Sequence, residues 1–162
     1  MVAETRLFGT VDIAEDKILE FPMGLIGFEN LKKFAIIYDS DREVRSKISW
    51  LQSMEEPALA LPIIPPFELI DDYGPIVEDE LMKNIGDPAD ADILMFVTLS
   101  IPSDLTKMTA NLKAPIIINT EGRKAIQVIV ENEDYKVKFN AYEAIQKMKE
   151  KTNVCRDHRS ML

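Results

Sequence analysis

The apolar residues of this chain come in short runs, each closed within a few positions by glycine, proline, aspartate or asparagine. That punctuation constrains the fold most, because short strands accommodate it and long helices do not. Arg6–Val11 and Lys17–Phe21 flank turn-forming Ala14–Asp16 and are predicted to form a hairpin. In the second segment, Ile18 and Glu20 point to one face while Leu19 and Phe21 point to the other. Phe34–Tyr38 follows a helical turn predicted near Glu29–Lys32 and is ended by Asp39–Arg42. Ile48–Ser53 and Ala58–Ile64 read as two further strands. Pro62 implies that the latter is an edge strand or carries a bulge, because proline has no N–H to give the ladder. Asp92–Leu99, Ala114–Asn119 and Lys124–Val130 continue the series. The last two are joined by Thr120–Arg123, a turn with glycine, and should pair antiparallel. Tyr135–Phe139 is a candidate final strand.

Two helices are predicted. Val77, Leu81 and Ile85 recur on one face of 76–85, with Pro75 suited to the first helical position and Gly86 to the end. Tyr142, Ile145 and Met148 share a face over 141–151, where Glu143 can pair with Lys147. The sum is a mainly β protein: one antiparallel, barrel-like domain over 1–150 with about two short helices, then a polar tail over 151–162 expected to be poorly ordered. Sheet closure hides strand edges that otherwise invite aggregation.

With 46% apolar residues in 162, the chain can bury one substantial core and is not a disordered sequence. Runs such as Ile93–Val97 are far shorter than the roughly 20 residues a membrane helix needs. The start, Met1–Arg6, has no basic segment followed by an apolar one, so no signal peptide is expected. Cys155 is the sole cysteine, which precludes an intrachain disulfide and suits a reducing cytosol. Charge is uneven. Residues 1–135 carry 12 Lys/Arg and 25 Asp/Glu, a net of −13, whereas residues 136–162 carry a net of +4. An acidic body repels nucleic acid and suits a basic protein partner.

The catalytic inventory is thin. His158, the sole histidine, and Cys155 both lie in the tail, which argues against histidine triads and histidine-rich zinc sites. Asp71 and Asp72, with Glu78, Asp79 and Glu80, can in principle bind a hard cation, but they lack the alternation of a calcium loop. A carboxylate-based metal-dependent enzyme built on them is the alternative function. Lys147, Lys149 and Lys151 offer a third, RNA binding, although clustered lysines more often form a solvated helix face. No phosphate-cradling glycine motif is present, and Gly24 and Gly27 lack the third glycine of a dinucleotide site. No cofactor is expected.

The unusual residues gather in two stretches, Phe21-Pro-Met-Gly-Leu-Ile-Gly-Phe-Glu29 and Thr109-Ala-Asn-Leu-Lys-Ala-Pro-Ile-Ile-Ile-Asn119. Pro22 stops an interior strand, and Gly24 and Gly27 permit positive φ. Phe21, Leu25, Ile26 and Phe28 are expected to anchor the loop to the core. Asn111 can form a side-chain-to-backbone turn before Pro115 opens a stiff strand. Most of these residues, Phe21, Phe28, Ile117 and Pro115 foremost, are expected to build the fold. Glu20, Glu29, Asn30 and Asn111 are the candidates for touching a partner.

Together with Trp50-Leu-Gln-Ser53, Pro57-Ala-Leu-Ala60 and Gln127-Val-Ile129, these stretches resemble the flagellar assembly factor family, FliW, over roughly residues 4–148. The resemblance implies a β-barrel-like cytoplasmic regulator without catalytic activity. It implies two partners: newly made flagellin, and the translational repressor CsrA, a basic RNA-binding dimer. Capture of CsrA, held in the family to be allosteric, would relieve repression of flagellin translation. Direct contact with nucleic acid or membrane is not expected.

Overall fold

The computed structural model describes residues 1–38 and 48–147. β1 (Val2–Thr5) and β2 (Gly9–Asp12) form an antiparallel hairpin whose turn is Arg6–Phe8. Thr5 closes that turn: its hydroxyl donates to the Gly9 carbonyl at 2.7 Å and accepts from the Phe8 N–H at 2.9 Å. The predicted pairing of Arg6–Val11 with Lys17–Phe21 therefore does not form. Residues 6–8 are used up as a turn, and Glu15–Lys17 makes a single 3-10 turn leading into β3 (Ile18–Glu20), which pairs elsewhere.

β3, β4 (Lys33–Tyr38), β5 (Ser49–Ser53) and β6 (Ala60–Ile64) run as an antiparallel meander. An excursion containing α1 (Asp79–Met82) leads to β7 (Ile93–Ser100). β8 (Thr109–Ala110), β9 (Ile116–Asn119), β10 (Lys124–Gln127) and β11 (Phe139–Asn140) follow, and α2 covers 141–147. β6 pairs with β7, β7 with β9, β9 with β10, and β10 returns to β3, closing a seven-stranded barrel. The predicted β9–β10 hairpin is present. One seam departs from the antiparallel rule: β10 meets β3 in parallel, at Lys124 opposite Glu20. β8 and β11 extend from the end of β7 as a short side ladder.

The barrel interior is filled by Leu19, Phe21, Phe34, Leu51, Phe96 and Ile116 among others, with the Phe21 and Phe34 rings edge to face at 5.0 Å. Burying an aromatic side chain stabilises by about 1.5–3 kcal/mol, so this cluster is a major term for closure. A second cluster seats α2: Ala141 and Ala144, with Tyr142 and Ile145, meet Leu69, Tyr73, Val97 and Leu112. A third packs Val77, Leu81 and Ile85 on Ile117, Ile126 and Val128.

Four local expectations are corrected. Pro62 lies in an interior strand without a bulge, pairing with Trp50. Ser53 N–H donates to the Leu59 carbonyl, so by ladder alternation the Pro62 nitrogen faces away from β5, and pairing with β7 begins only at Ile63. The first helix starts at Asp79 and not at Ile76. Asn132 Oδ1 accepts the Ile76 N–H at 2.6 Å and the Ile76 carbonyl accepts from Glu131 N–H, so that backbone is already engaged. The predicted apolar face survives, and Gly86 ends the following 3-10 turn at φ +87°. Tyr135–Lys138 is not a strand, since Tyr135 stacks on Tyr73 at 4.8 Å and only Phe139–Asn140 pairs. Glu29 and Asn30 form a turn without helix. The predicted stop at Asp39–Arg42, Met148 on the second helix, and the 151–162 tail lie outside the described residues.

Asn119 joins two of these elements. Its Nδ2 donates to the Ile85 carbonyl at 2.7 Å, and its Oδ1 accepts from Glu121 and Gly122 N–H at 3.2 Å each. It is buried. Asn119→Ala should cost about 2–3 kcal/mol by stranding those groups, seen as a lower urea midpoint at unchanged slope.

Candidate protein-binding site

After β3, residues 21–30 turn a rigid corner. Phe21 and Leu25 are buried, as expected, and seat the loop on the barrel core. Met23, Ile26 and Phe28 are not anchors: they stand 55%, 49% and 40% exposed. The prediction for Ile26 and Phe28 fails because the backbone, and not the side chains, holds this loop. Gly24 takes φ +67°, and a Cβ there would lie 2.5 Å from the Glu29 backbone. That packing leaves one short spacing between Leu25 and Phe28, which form an isolated antiparallel bridge. Leu25 turns in, so its neighbours turn out. Gly27 also has positive φ, at +90°, but in open space.

Polar groups lock the corner from three sides. Gln127, on β10, accepts from Ile26 N–H at 3.0 Å and donates to the Ala114 carbonyl at 3.1 Å, tying the two punctuated stretches together. Lys32 Nζ donates to the Pro22 carbonyl at 3.1 Å. Glu55 Oε1 accepts from the N–H groups of Lys32 and Lys33 at 2.7 and 2.8 Å. The Trp50–Ser53 and Pro57–Ala60 fragments build the turn that presents Glu55. Buried Gln52 donates to the carbonyls of Ser53 and Leu59, and the Ser53 hydroxyl accepts from Glu55 and Glu56 N–H. Gln127 and Glu55 were not among the predicted site residues. Gln127 had a signal: a lone amide inside an apolar strand must find partners or face water.

The structure brings Glu20, Glu29 and Asn30 together at this corner, all exposed. The Glu29 carboxylate accepts from Gly27 N–H at 3.2 Å. Its own backbone N–H, then that of Gly27, with help from Lys32, hold it below the ordinary 4.5. Glu20 is registered beside Lys33 on β4 and Lys124 on β10. Asn111 is separate: its Oδ1 accepts from Lys113 N–H at 3.1 Å, the predicted turn, before buried Pro115 opens β9.

Negative charge collects elsewhere. Residues 68–92 hold nine Asp/Glu and one Lys, and residues 131–134 hold three more acids. Asn132 joins the two segments, donating to the Gly74 carbonyl as well as accepting from Ile76. Together the two segments carry a net −11, nearly all of the acidic excess of residues 1–135, and Lys113 Nζ donates to the Asn132 carbonyl at 2.6 Å where they meet. Asp71 and Asp72 are exposed in a turn, Glu78 precedes α1, and Glu80 accepts from Lys83 at 3.1 Å. Among the described residues no three His, Cys, Asp or Glu side chains converge on a metal-sized site. No described helix is long and apolar enough to cross a membrane. Cys155, His158, Lys149 and Lys151 lie outside the described residues, and Lys147 is exposed on α2.

The class so defined is a small closed β-barrel presenting two surfaces of contrasting chemistry. A family model described as FliW protein matches residues 2–141. A flagellar assembly factor FliW from Lachnoclostridium phytofermentans is 52% identical over 146 residues, covering 90% of this chain and 94% of that one. One from Lachnospira eligens is 44% identical over 91% of this chain and 98% of its own. A crystal structure of the flagellar assembly factor FliW superposes with a TM-score of 0.78 at 30% identity, covering 87% of this chain and 96% of that one. This chain belongs to the FliW family of flagellar assembly factors.

The two corner glycines should respond differently to alanine. Gly27→Ala should cost about 1–2 kcal/mol, the strain of a left-handed residue with a side chain. Gly24→Ala adds a backbone collision and should cost about 3 kcal/mol or more by chemical denaturation. The Glu29 carboxylate supports the turn above pH 4.5, and that support is lost as pH falls through its depressed value. The Gly27 amide resonance should titrate with a midpoint below 4.5, and Glu29→Gln should abolish the titration.

Proposed function

We propose that this chain is a non-catalytic cytoplasmic regulator of flagellar assembly that binds flagellin and antagonises CsrA, so relieving repression of flagellin translation. It needs no cofactor and contacts neither RNA nor membrane itself. Family membership supports the flagellar role, and the resemblance supplies the two partners. The observation that carries the CsrA arm is the net charge of −11 on segments 68–92 and 131–134, which Asn132 joins. A basic dimer is steered to such a face before it docks, and the attraction is screened beyond about 8 Å at physiological ionic strength. The same field turns phosphate backbones away, so this face meets the repressor and not its RNA. The Asp71, Asp72 and Glu78 carboxylates serve this field as point charges.

Calorimetric titration with purified CsrA and with flagellin, each at low and high salt, tests the reading. CsrA should bind at micromolar concentration or tighter and weaken several-fold in high salt. The Glu78→Lys, Glu133→Lys pair, exposed on both acidic segments, should weaken CsrA by about tenfold and flatten its salt dependence, with thermal stability kept. Failure of the unmodified protein to bind either partner at micromolar concentration would end the proposal.

A further inference from the structure

We propose that the corner at residues 21–30 is a second docking surface, separate from the acidic face, that receives an apolar and uncharged segment of a polypeptide partner. This rests on the reading that the protein works by binding other proteins. Met23, Ile26 and Phe28 are exposed on a ten-residue loop in which Phe21 and Leu25 are buried. Nothing about their chemistry favours water. They stay outside because the backbone beneath them is fixed.

That fixing is extensive. The N–H groups of Phe21, Gly24, Phe28 and Leu31 go to backbone carbonyls, that of Ile26 to Gln127 and that of Gly27 to Glu29. Gly24 packs so closely on Glu29 that a Cβ there would lie 2.5 Å from the Glu29 backbone. A surface already in its bound shape loses little freedom on association, and exposed apolar atoms on a rigid frame are where interface cores form.

Charge decides the occupant. The ionic groups that register with or bond to the corner are Glu20, Glu29 and Glu55 against Lys32, Lys33 and Lys124. They balance. A partner segment here gains nothing from carrying net charge, in contrast to the acidic face. A lipid surface fits poorly, since interfacial anchors pair apolar side chains with an excess of Lys and Arg, which the corner lacks.

The test compares the full chain with its Ile26→Ser, Phe28→Ser variant, which keeps every backbone hydrogen bond of the loop. Flagellin, CsrA and neutral phosphatidylcholine vesicles serve as probes at low and high salt. Flagellin affinity should fall at least tenfold in the variant and change less than twofold with salt in the unmodified protein. CsrA affinity and its salt dependence should stay within twofold, and the melting temperature should not drop. Flagellin bound equally by both proteins overturns the corner proposal alone. Vesicle binding lost in the variant overturns it in favour of a membrane. An unmodified protein that binds neither protein partner overturns the reading beneath it. If the double variant is destabilised, Met23→Ser, outside the Leu25–Phe28 bridge, gives the same comparison and must show the same selective loss.

Discussion

The corner at residues 21–30 is placed by the closure of the barrel along the seam between β3 and β10. That seam is the one parallel contact in the ring, and in register it amounts to Lys124 beside Glu20. A parallel pairing this short contributes little by its ladder alone. It is held because groups on either side are committed to it. Glu20 N–H donates to the Arg123 carbonyl, Arg123 Nη1 donates to the Glu15 carbonyl at 2.5 Å, and Gln127 reaches the loop that follows β3. Behind the seam, Leu19, Phe21 and Ala125 share the barrel core. Apolar burial closes the ring, and a few directed hydrogen bonds set where it closes.

From that geometry the two surfaces follow with different physics. The acidic segment 68–92 lies in the long excursion between β6 and β7, whose helix starts late because Asn132 and Glu131 engage Ile76. Its influence is long-ranged and falls with salt. The corner grows from the end of β3, and its influence is short-ranged, made of shape and apolar area. For the two-partner function proposed above, keeping these two kinds of attraction apart means that conditions that weaken one leave the other intact.

Much of the barrel could be read from residues. The runs Lys33–Tyr38, Ile93–Ser100 and Ile116–Asn119 are rich in β-branched or aromatic residues and bounded by turn formers, so their state was local information. The amphipathic face of Val77, Leu81 and Ile85 was equally visible. What periodicity could not show was competition between distant groups. Thr5 with Gly9 outbid Ala14–Asp16 for the first hairpin, and Asn132 outbid the helix for Ile76. At the corner, Pro22, Gly24 and Gly27 announced an unusual backbone, and Glu20, Glu29 and Asn30 proved to share it. The direction of Ile26 and Phe28 was hidden, because hydrophobicity alone assigns such residues to the interior. The clustering of acids was hidden too, since residues 68–92 and 131–134 are joined only by the fold.

The collision that forbids any side chain at position 24 has a consequence for how such a protein can change over generations. The scaffold of the corner rests on a glycine at position 24, while the side chains at positions 23, 26 and 28 are each partly exposed. Replacements at those three sites disturb the scaffold less than any side chain at position 24 would. If the corner docks a partner as proposed, its choice of partner and its architecture lie in different letters of the same nine-residue word.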